Sequence, residues 1–346
     1  MSIERPNLDE LDPAVRAYIE ALEDELDRLR RKGHPRRNAT PPAPSEPPTT
    51  LNVVTISAAG VAKRTPRHLY SRQGRGGMGV FDLDVPKNDQ PAFLTIADES
   101  QSLVLVTDQA RAFRLPVRQL PESPVRSRGQ SITERLSFNS DEHLALVFPD
   151  LGSTYVAMLT RRGHVLWFAG HLFGEKLGPG TILYKVTRFG PPAAACWTPG
   201  DGDIFIATRQ GRGIRFPARQ VPVRGCLGIR LERNDIAVAI APVRSDSGVF
   251  LLSANGRGTV RLMSGFRPNK TPGASGKVAM RTDHLVGAET VNDADDVFLV
   301  SRLGKIIRFP ATEVPAKEGV VQGVNCMALR ADETVALAVS PLEVRE

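Results

Sequence analysis

Six stretches of this chain repeat one pattern, and nothing else in the sequence restricts the fold so tightly. They are VVTISAAGVAKRTP (53–66), LVLVTDQARAFRLP (103–116), YVAMLTRRGHVLWF (155–168), DIFIATRQGRGIRFP (203–217), GVFLLSANGRGTVRL (248–262) and DVFLVSRLGKIIRFP (296–310). Each reads as an apolar strand, a Ser or Thr, two residues, a small residue, then a second strand. The small residues are Gly60, Ala110, Gly163, Gly211, Gly256 and Gly304, spaced by 50, 53, 48, 45 and 48. Hairpins recurring at this period mean an array of β-units, each too small to bury its own face and stacked on its neighbours. A polar Arg/Gly/Pro-rich segment and a further apolar strand pair follow each hairpin, as in ARQVPVRGCLGIRLERNDIAVAIAP (218–242). Four strands per unit and six units predict an all-β, propeller-like disc over residues 51–341.

The remaining chain divides by composition. Residues 12–32 read as one amphipathic helix: Asp12 suits the N-cap, Pro13 the first turn, and Gly33 the stop. Val15, Tyr18, Ile19, Leu22, Leu26 and Leu29 form one apolar stripe that needs a partner, met either by self-association as a coiled coil (a homo-oligomer) or by docking on another protein. Residues 33–50 are proline-rich and read as a semi-extended linker, while 1–11 and 342–346 read as a disordered N-terminus and a short tail.

Charge is unevenly placed. The first 50 residues hold 8 Lys+Arg against 10 Asp+Glu; the rest hold 37 against 28, so the basic excess lies on the β-body. That is the footprint expected for a phosphate-bearing partner. Three widely spaced cysteines fit buried side chains in a reducing cytosol. No apolar run approaches a membrane span, and no secretory signal is visible. The histidines and acids show no metal-ligand spacing, so neither metal nor cofactor is expected.

Gly74, Gly76 and Gly79 in RQGRGGMGVF (72–81) spell G-x-G-x-x-G. A dinucleotide site needs a helix N-terminus directly after that run. The residues after Gly79 read VFDLDVPKNDQP, alternating and then proline-broken, so the match is coincidental.

The repeat unit resembles the blades of the C-terminal domain of the DNA gyrase A protein, also found in topoisomerase IV. The resemblance covers residues 51–341. It implies a six-bladed β-pinwheel, in which strands are exchanged between blades and DNA binds along the outer rim. Residues 73–79 stand where that family carries the box Q-R-R-G-G-K-G. Here the box reads Gln73, Gly74, Arg75, Gly76, Gly77, Met78 and Gly79, with Gly74 and Met78 replacing two cations. The resemblance assigns the box to DNA holding, and the lost charge puts full wrapping in doubt.

Rim contacts are expected from cations near the turns: Lys63, Arg64, Arg114, Arg212, Arg215, Arg257, Arg261, Lys305 and Arg308, with Trp167 replacing the arginine in the third unit. Such a ring would meet successive phosphates without reading bases. Tyr70, Tyr155 and Tyr184 lie inside the repeats, and no winged-helix or ATPase segment accompanies them, so no catalysis is expected. The leading reading is a free-standing, cytoplasmic, nucleoid-associated protein that binds and bends double-stranded DNA or serves a type II topoisomerase. The alternative is a protein-interaction scaffold that has kept the fold and lost wrapping.

Overall fold

The computed structural model describes residues 19, 23 and 46–341. Ile19 and Glu23 are helical. The rest of the expected 12–32 helix, most of the 33–50 linker, and the segments 1–11 and 342–346 lie outside the described residues.

Residues 51–340 form six blades in a closed ring. In each, a central hairpin is flanked by an inner strand on one side and a short outer strand on the other. Blade 1 pairs Leu51–Ser57 with Val61–Pro66, adds Pro91–Asp98 inside and Gln130–Ser131 outside. The hairpins of blades 2 to 6 are Ser102–Thr107 with Arg111–Pro116, Tyr155–Thr160 with His164–Ala169, Asp203–Thr208 with Arg212–Pro217, Gly248–Ser253 with Arg257–Leu262, and Asp296–Ser301 with Lys305–Pro310. Five sheets have the expected four strands. Blade 5 differs: it takes two outer pieces, Ala316–Lys317 in parallel and Val324–Asn325 antiparallel.

The Ser/Thr-x-x-Gly pattern has a local cause. The amide of the small residue donates to the carbonyl three residues earlier in all six turns, as in Gly211 N to Thr208 O at 2.9 Å. All six small residues have positive φ, Ala110 included at 58°. Such a backbone favours glycine because an L side chain there meets its own carbonyl. The Ser/Thr hydroxyl then accepts the amide after the turn, for example Arg212 N to Thr208 Oγ1 at 3.3 Å.

Outer strands never come from their own blade. Counted from the axis, the chain leaves the third strand of a blade through a 3-10 turn, runs down the outside of the disc, and pairs with the third strand of the preceding blade. Cys226–Leu227, which follows the blade 4 hairpin, completes blade 3. Lys277–Val278, which follows that of blade 5, completes blade 4. Val80–Phe81, which follows that of blade 1, completes blade 6 and closes the ring. This is the strand exchange expected of a pinwheel.

The second strand of each blade is covered on both faces by neighbouring blades, and those of blades 1, 2, 5 and 6 are buried at every residue. Apolar clusters fill the joints, as with Phe205, Leu251 and Phe266 between blades 4 and 5. The inner strands line an axial cavity walled by alanine, valine and leucine. Glu289, half-buried, is its one ionisable lining residue; burial lifts its carboxyl to about 7, against the opposing hydrogen bond from Val339 N.

Candidate nucleic-acid interface

Several of the cations expected to meet phosphates are turned inward by this geometry. Arg215 is buried, its Nε donates to Asp203 at 2.7 Å and its Nη1 to the carbonyl of Met263 in the next blade at 2.7 Å. Arg308 repeats this at the ring closure: Nε to Asp296 at 2.7 Å, Nη1 to Tyr70 O at 3.0 Å in blade 1, Nη2 to Glu46 at 2.6 Å. Arg64, half-buried, spans from Asn52 at 3.1 Å to Leu120 O of blade 2 at 2.6 Å. Arg114 pairs with Asp150 at 2.9 Å within its blade. These side chains staple strands and blades together. They do not present free charge to a ligand.

Lys63 is fully buried. Its Nζ lies 2.8 Å from Asp82 Oδ1, which also accepts Tyr70 OH at 2.6 Å, while Asp82 Oδ2 accepts Thr55 Oγ1 at 2.7 Å. Burial lowers the Lys63 pKa against the pull of Asp82. Burial, reinforced by Asp82, holds Tyr70 well above the usual phenol range.

Arg212, Arg257 and Lys305 occupy the first position of the third strand; Arg257 is exposed and the other two are half-buried. Arg212 donates to the carbonyls of Ser275 and Gly276 at 3.0 and 3.1 Å, and Arg257 to Gly323 O at 3.2 Å. Both steady the incoming outer strand, and Lys305 sits over the Phe81 ring. Arg261 differs from every staple. It is buried over Phe266, yet its Nε and Nη1 have no hydrogen-bond partner. Exposed Lys277 lies over the same ring, so this corner holds unsatisfied positive donors.

The box is the loop that carries the chain to the closing strand. Gln73 N donates to Arg308 O at 2.9 Å, Gly76 N to Cys326 O at 2.8 Å, and Ala328 N to Gly77 O at 2.9 Å. Arg75 N donates to Glu313 at 2.6 Å, and its exposed guanidinium reaches Asn325 O at 3.3 Å. Gly79 has φ +72°, and a methyl there would lie 2.6 Å from the Ile306 carbonyl. Gly74 has φ +73°, so an arginine at that position carries backbone strain. Met78 is 52% exposed.

A second glycine column recurs just before each outer strand: Gly79, Gly129, Gly180, Gly225, Gly276 and Gly323. Five of these would place a Cβ within 3 Å of a backbone carbonyl on the preceding blade; at Gly180 it would meet the Arg111 side chain. The exchange loops ending at this column each present an exposed cation. Examples are Arg75, Arg128, Lys176, Arg224, Arg267 and Lys270, and Lys317, while Arg72 is held by Asp296 at 3.1 Å and Arg126 by Asp84 at 3.4 Å. The rim charge therefore sits on the exchange loops rather than on the hairpins.

Among the described residues, no group of three or more His, Cys, Asp or Glu is placed to hold a metal, and no helix is long and apolar enough to cross a membrane.

A ring of strand-exchanged blades stapled by arginine, with a glycine box at its closure, defines a gyrase-type β-pinwheel. The family described as DNA gyrase C-terminal domain, beta-propeller, matches residues 51–90, 101–149, 202–244 and 295–340. The chain belongs to that family. The unmatched stretches hold blades 3 and 5, in which Trp167 and Val260 replace the stapling arginine. The chain is 28% identical over 299 residues to the A protein of DNA gyrase from Mycobacterium bovis, covering 82% of this chain and 35% of the relative. It is 26% identical over 295 residues to that of Escherichia coli, covering 82% and 34%. It thus spans about a third of the length of these relatives. A solved DNA gyrase A C-terminal domain superposes with TM-score 0.73 at 20% identity, covering 84% of this chain and 99% of the other. The C-terminal domain of DNA topoisomerase IV gives 0.54 at 18% identity, covering 84% and 93%.

Proposed function

We propose that this disc binds double-stranded DNA along its circumference through sequence-independent phosphate contacts, and bends it. The observation that carries this is the exposed cation on every exchange loop, repeated around the outer edge. Arginine and lysine so placed neutralise phosphates and release counterions, whatever the base sequence. Exposed Lys277, over the Phe266 ring, adds a further cation at this edge. The corresponding role is organising nucleoid DNA, or lending a DNA-holding arm to a type II topoisomerase. The chemistry is holding rather than bond-breaking: Tyr70 and Tyr184 are buried, and burial pushes both phenols further above the usual phenol range.

One observation favours a second reading as a protein-interaction scaffold. The box loop has lost two family cations and exposes Met78, Val80 and Phe81 side by side. Gel shifts with linear duplex over a salt series, joined to a writhe assay on relaxed circles, separate the two. The DNA reading expects affinity to fall with a log–log slope of about −0.9 per phosphate contact. Absence of duplex binding at low ionic strength hands the role to the scaffold.

A further inference from the structure

The hairpin-turn end of the disc carries its own charge pattern, which adjoins the rim only where Arg230 N donates to Ala274 O of the blade 5 exchange loop at 3.0 Å. In blades 3 and 4 the turns and the loops beside them hold Arg161, Arg162, Arg188, Arg209, Arg230 and Arg233; Arg209 is half-buried and the other five are exposed. These residues are contiguous. Arg162 Nη1 donates to Thr187 O at 3.2 Å, and Arg209 Nη2 to Asn234 O at 2.8 Å. Ala237 N donates to Arg161 O while the adjoining Ile236 O accepts Arg209 N, so one short segment ties the two turns together. Arg162 and Arg188 also depress the His164 pKa, after burial, which places both charges beside that ring.

Across these turns and loops the only acids are Glu232, which is exposed, and Asp235, which is buried capping Gln210 N at 3.0 Å. None of the six arginines forms an ion pair among the described residues. Repetition does not account for this. At the same positions blade 2 has Asp108 at its turn and Glu134, Asp141 and Glu142 in its loop, and blade 1 has Ala58 and Ala59. The turn arginine recurs in blade 6 as Arg302, but there it pairs with Glu333 at 3.3 Å beside Asp332, so the basic sector without ion pairs is confined to two adjacent blades.

We infer that this sector is a second binding surface for a phosphodiester backbone, separate from the rim, so that one disc holds two duplexes and bridges them. Its chemistry fits a duplex better than an acidic peptide, because planar guanidinium groups match phosphate oxygens and none of the large exposed apolar residues lies in these turns and loops to anchor a peptide. The inference rests on the rim reading for the first duplex.

The test uses the full chain and two 40-base-pair duplexes, one on beads and one fluorescent, with and without protein. The triple variant Arg161→Glu, Arg230→Glu, Arg233→Glu changes exposed side chains that make no hydrogen bond among those described. The expected result is a loss of at least tenfold in captured fluorescent duplex, with single-duplex affinity by gel shift changed less than twofold. Circular dichroism identical to wild type verifies the fold, and Arg161→Lys, Arg230→Lys, Arg233→Lys should restore most capture. Three results overturn the inference. Capture unaffected by the charge reversal means bridging runs through another surface or through association of two chains. Capture and single-duplex affinity falling together mean one continuous DNA path. A wild-type protein that binds single duplexes but captures none has no second site. Failure of all duplex binding is a different outcome, and it removes the rim reading as well.

Discussion

The joint between blades 5 and 6 and the joint that closes the ring between blades 6 and 1 bring together the same kinds of strand by different chemistry. The first is a cluster of thirteen buried apolar residues, with Phe250 and Phe309 edge to face. The second has seven. In place of the missing apolar surface it holds two buried polar groups: Lys63 with Asp82, Tyr70 and Thr55, and Arg308 with Asp296, Glu46 and the carbonyls of blade 1. Apolar surfaces tolerate sliding, whereas a buried ion pair satisfies its partners in one arrangement only. The closing strand Val80–Phe81 comes from the opposite end of the disc's sequence to the strand it completes, and Asp82 directly follows it. The polar groups therefore fix the register where the chain must choose its partner over the longest loop.

The largest expected effect breaks this joint. Asp82→Ala leaves the buried Lys63 ammonium without a counter-ion, held only by the carbonyls of residue 82, Pro124 and Val125, and should cost about 3–5 kcal/mol of unfolding free energy. Replacing both by leucine or methionine should be far less costly, and denaturant unfolding of the three variants checks the order. If Asp82→Ala proved neutral, the joint would be apolar in its energetics after all. Next is Gly79→Ala, which meets the Ile306 carbonyl and demands positive φ; a loss of about 1–3 kcal/mol is expected, with hydrogen exchange rising first at Val80 and Phe81.

Glu289 lines the axial cavity at the inner end of the blade 5–6 joint, where it accepts Val339 N of blade 6 at 2.9 Å, so pH probes that joint. Its folded-state pKa, about 7, lies above the ordinary 4.5. A raised carboxyl pKa disfavours the folded state once the group ionises. The penalty grows as pH rises from about 4.5 and is complete above 7. Glu289→Gln should gain about 1–3 kcal/mol at pH 8 and nothing at pH 4. The smallest effect is expected at the blade 2 turn. Ala110→Gly relieves the left-handed backbone but gives up a buried methyl, for a net change within about 1 kcal/mol of zero.

The turns were legible in the sequence because their chemistry is local: a hydroxyl, two residues and a positive φ specify them wherever they occur. The direction of the arginines was not. Strand alternation suggests an outward face, but these hairpins have none, since neighbouring blades cover both sides. A signal for the staples lies twelve residues upstream, where Asp203, Asp296 and Asn52 stand diagonally across the hairpin from Arg215, Arg308 and Arg64. The Lys63–Asp82 pair joins the blade 1 hairpin to an exchanged segment and has no such fixed offset to a repeat. The second glycine column was also present in the sequence. It is masked there because the loops before it vary in length, and only the strand exchange shows why a Cβ has no room.

Met78→Lys is the clean way to restore a box charge, since position 78 is exposed and Gly74→Arg adds strain. The central claim is the division of the basic residues into staples and phosphate-facing charges, and the salt dependence of duplex binding tests it most directly. Arg128→Gln, Arg224→Gln and Arg267→Gln together should leave unfolding unchanged and make the log–log salt slope shallower by about 0.9 for each phosphate no longer neutralised. Arg215→Gln should lower stability and leave the slope of the remaining folded protein as it was. A slope that responds to Arg215 and ignores the three exchange-loop arginines would contradict the account.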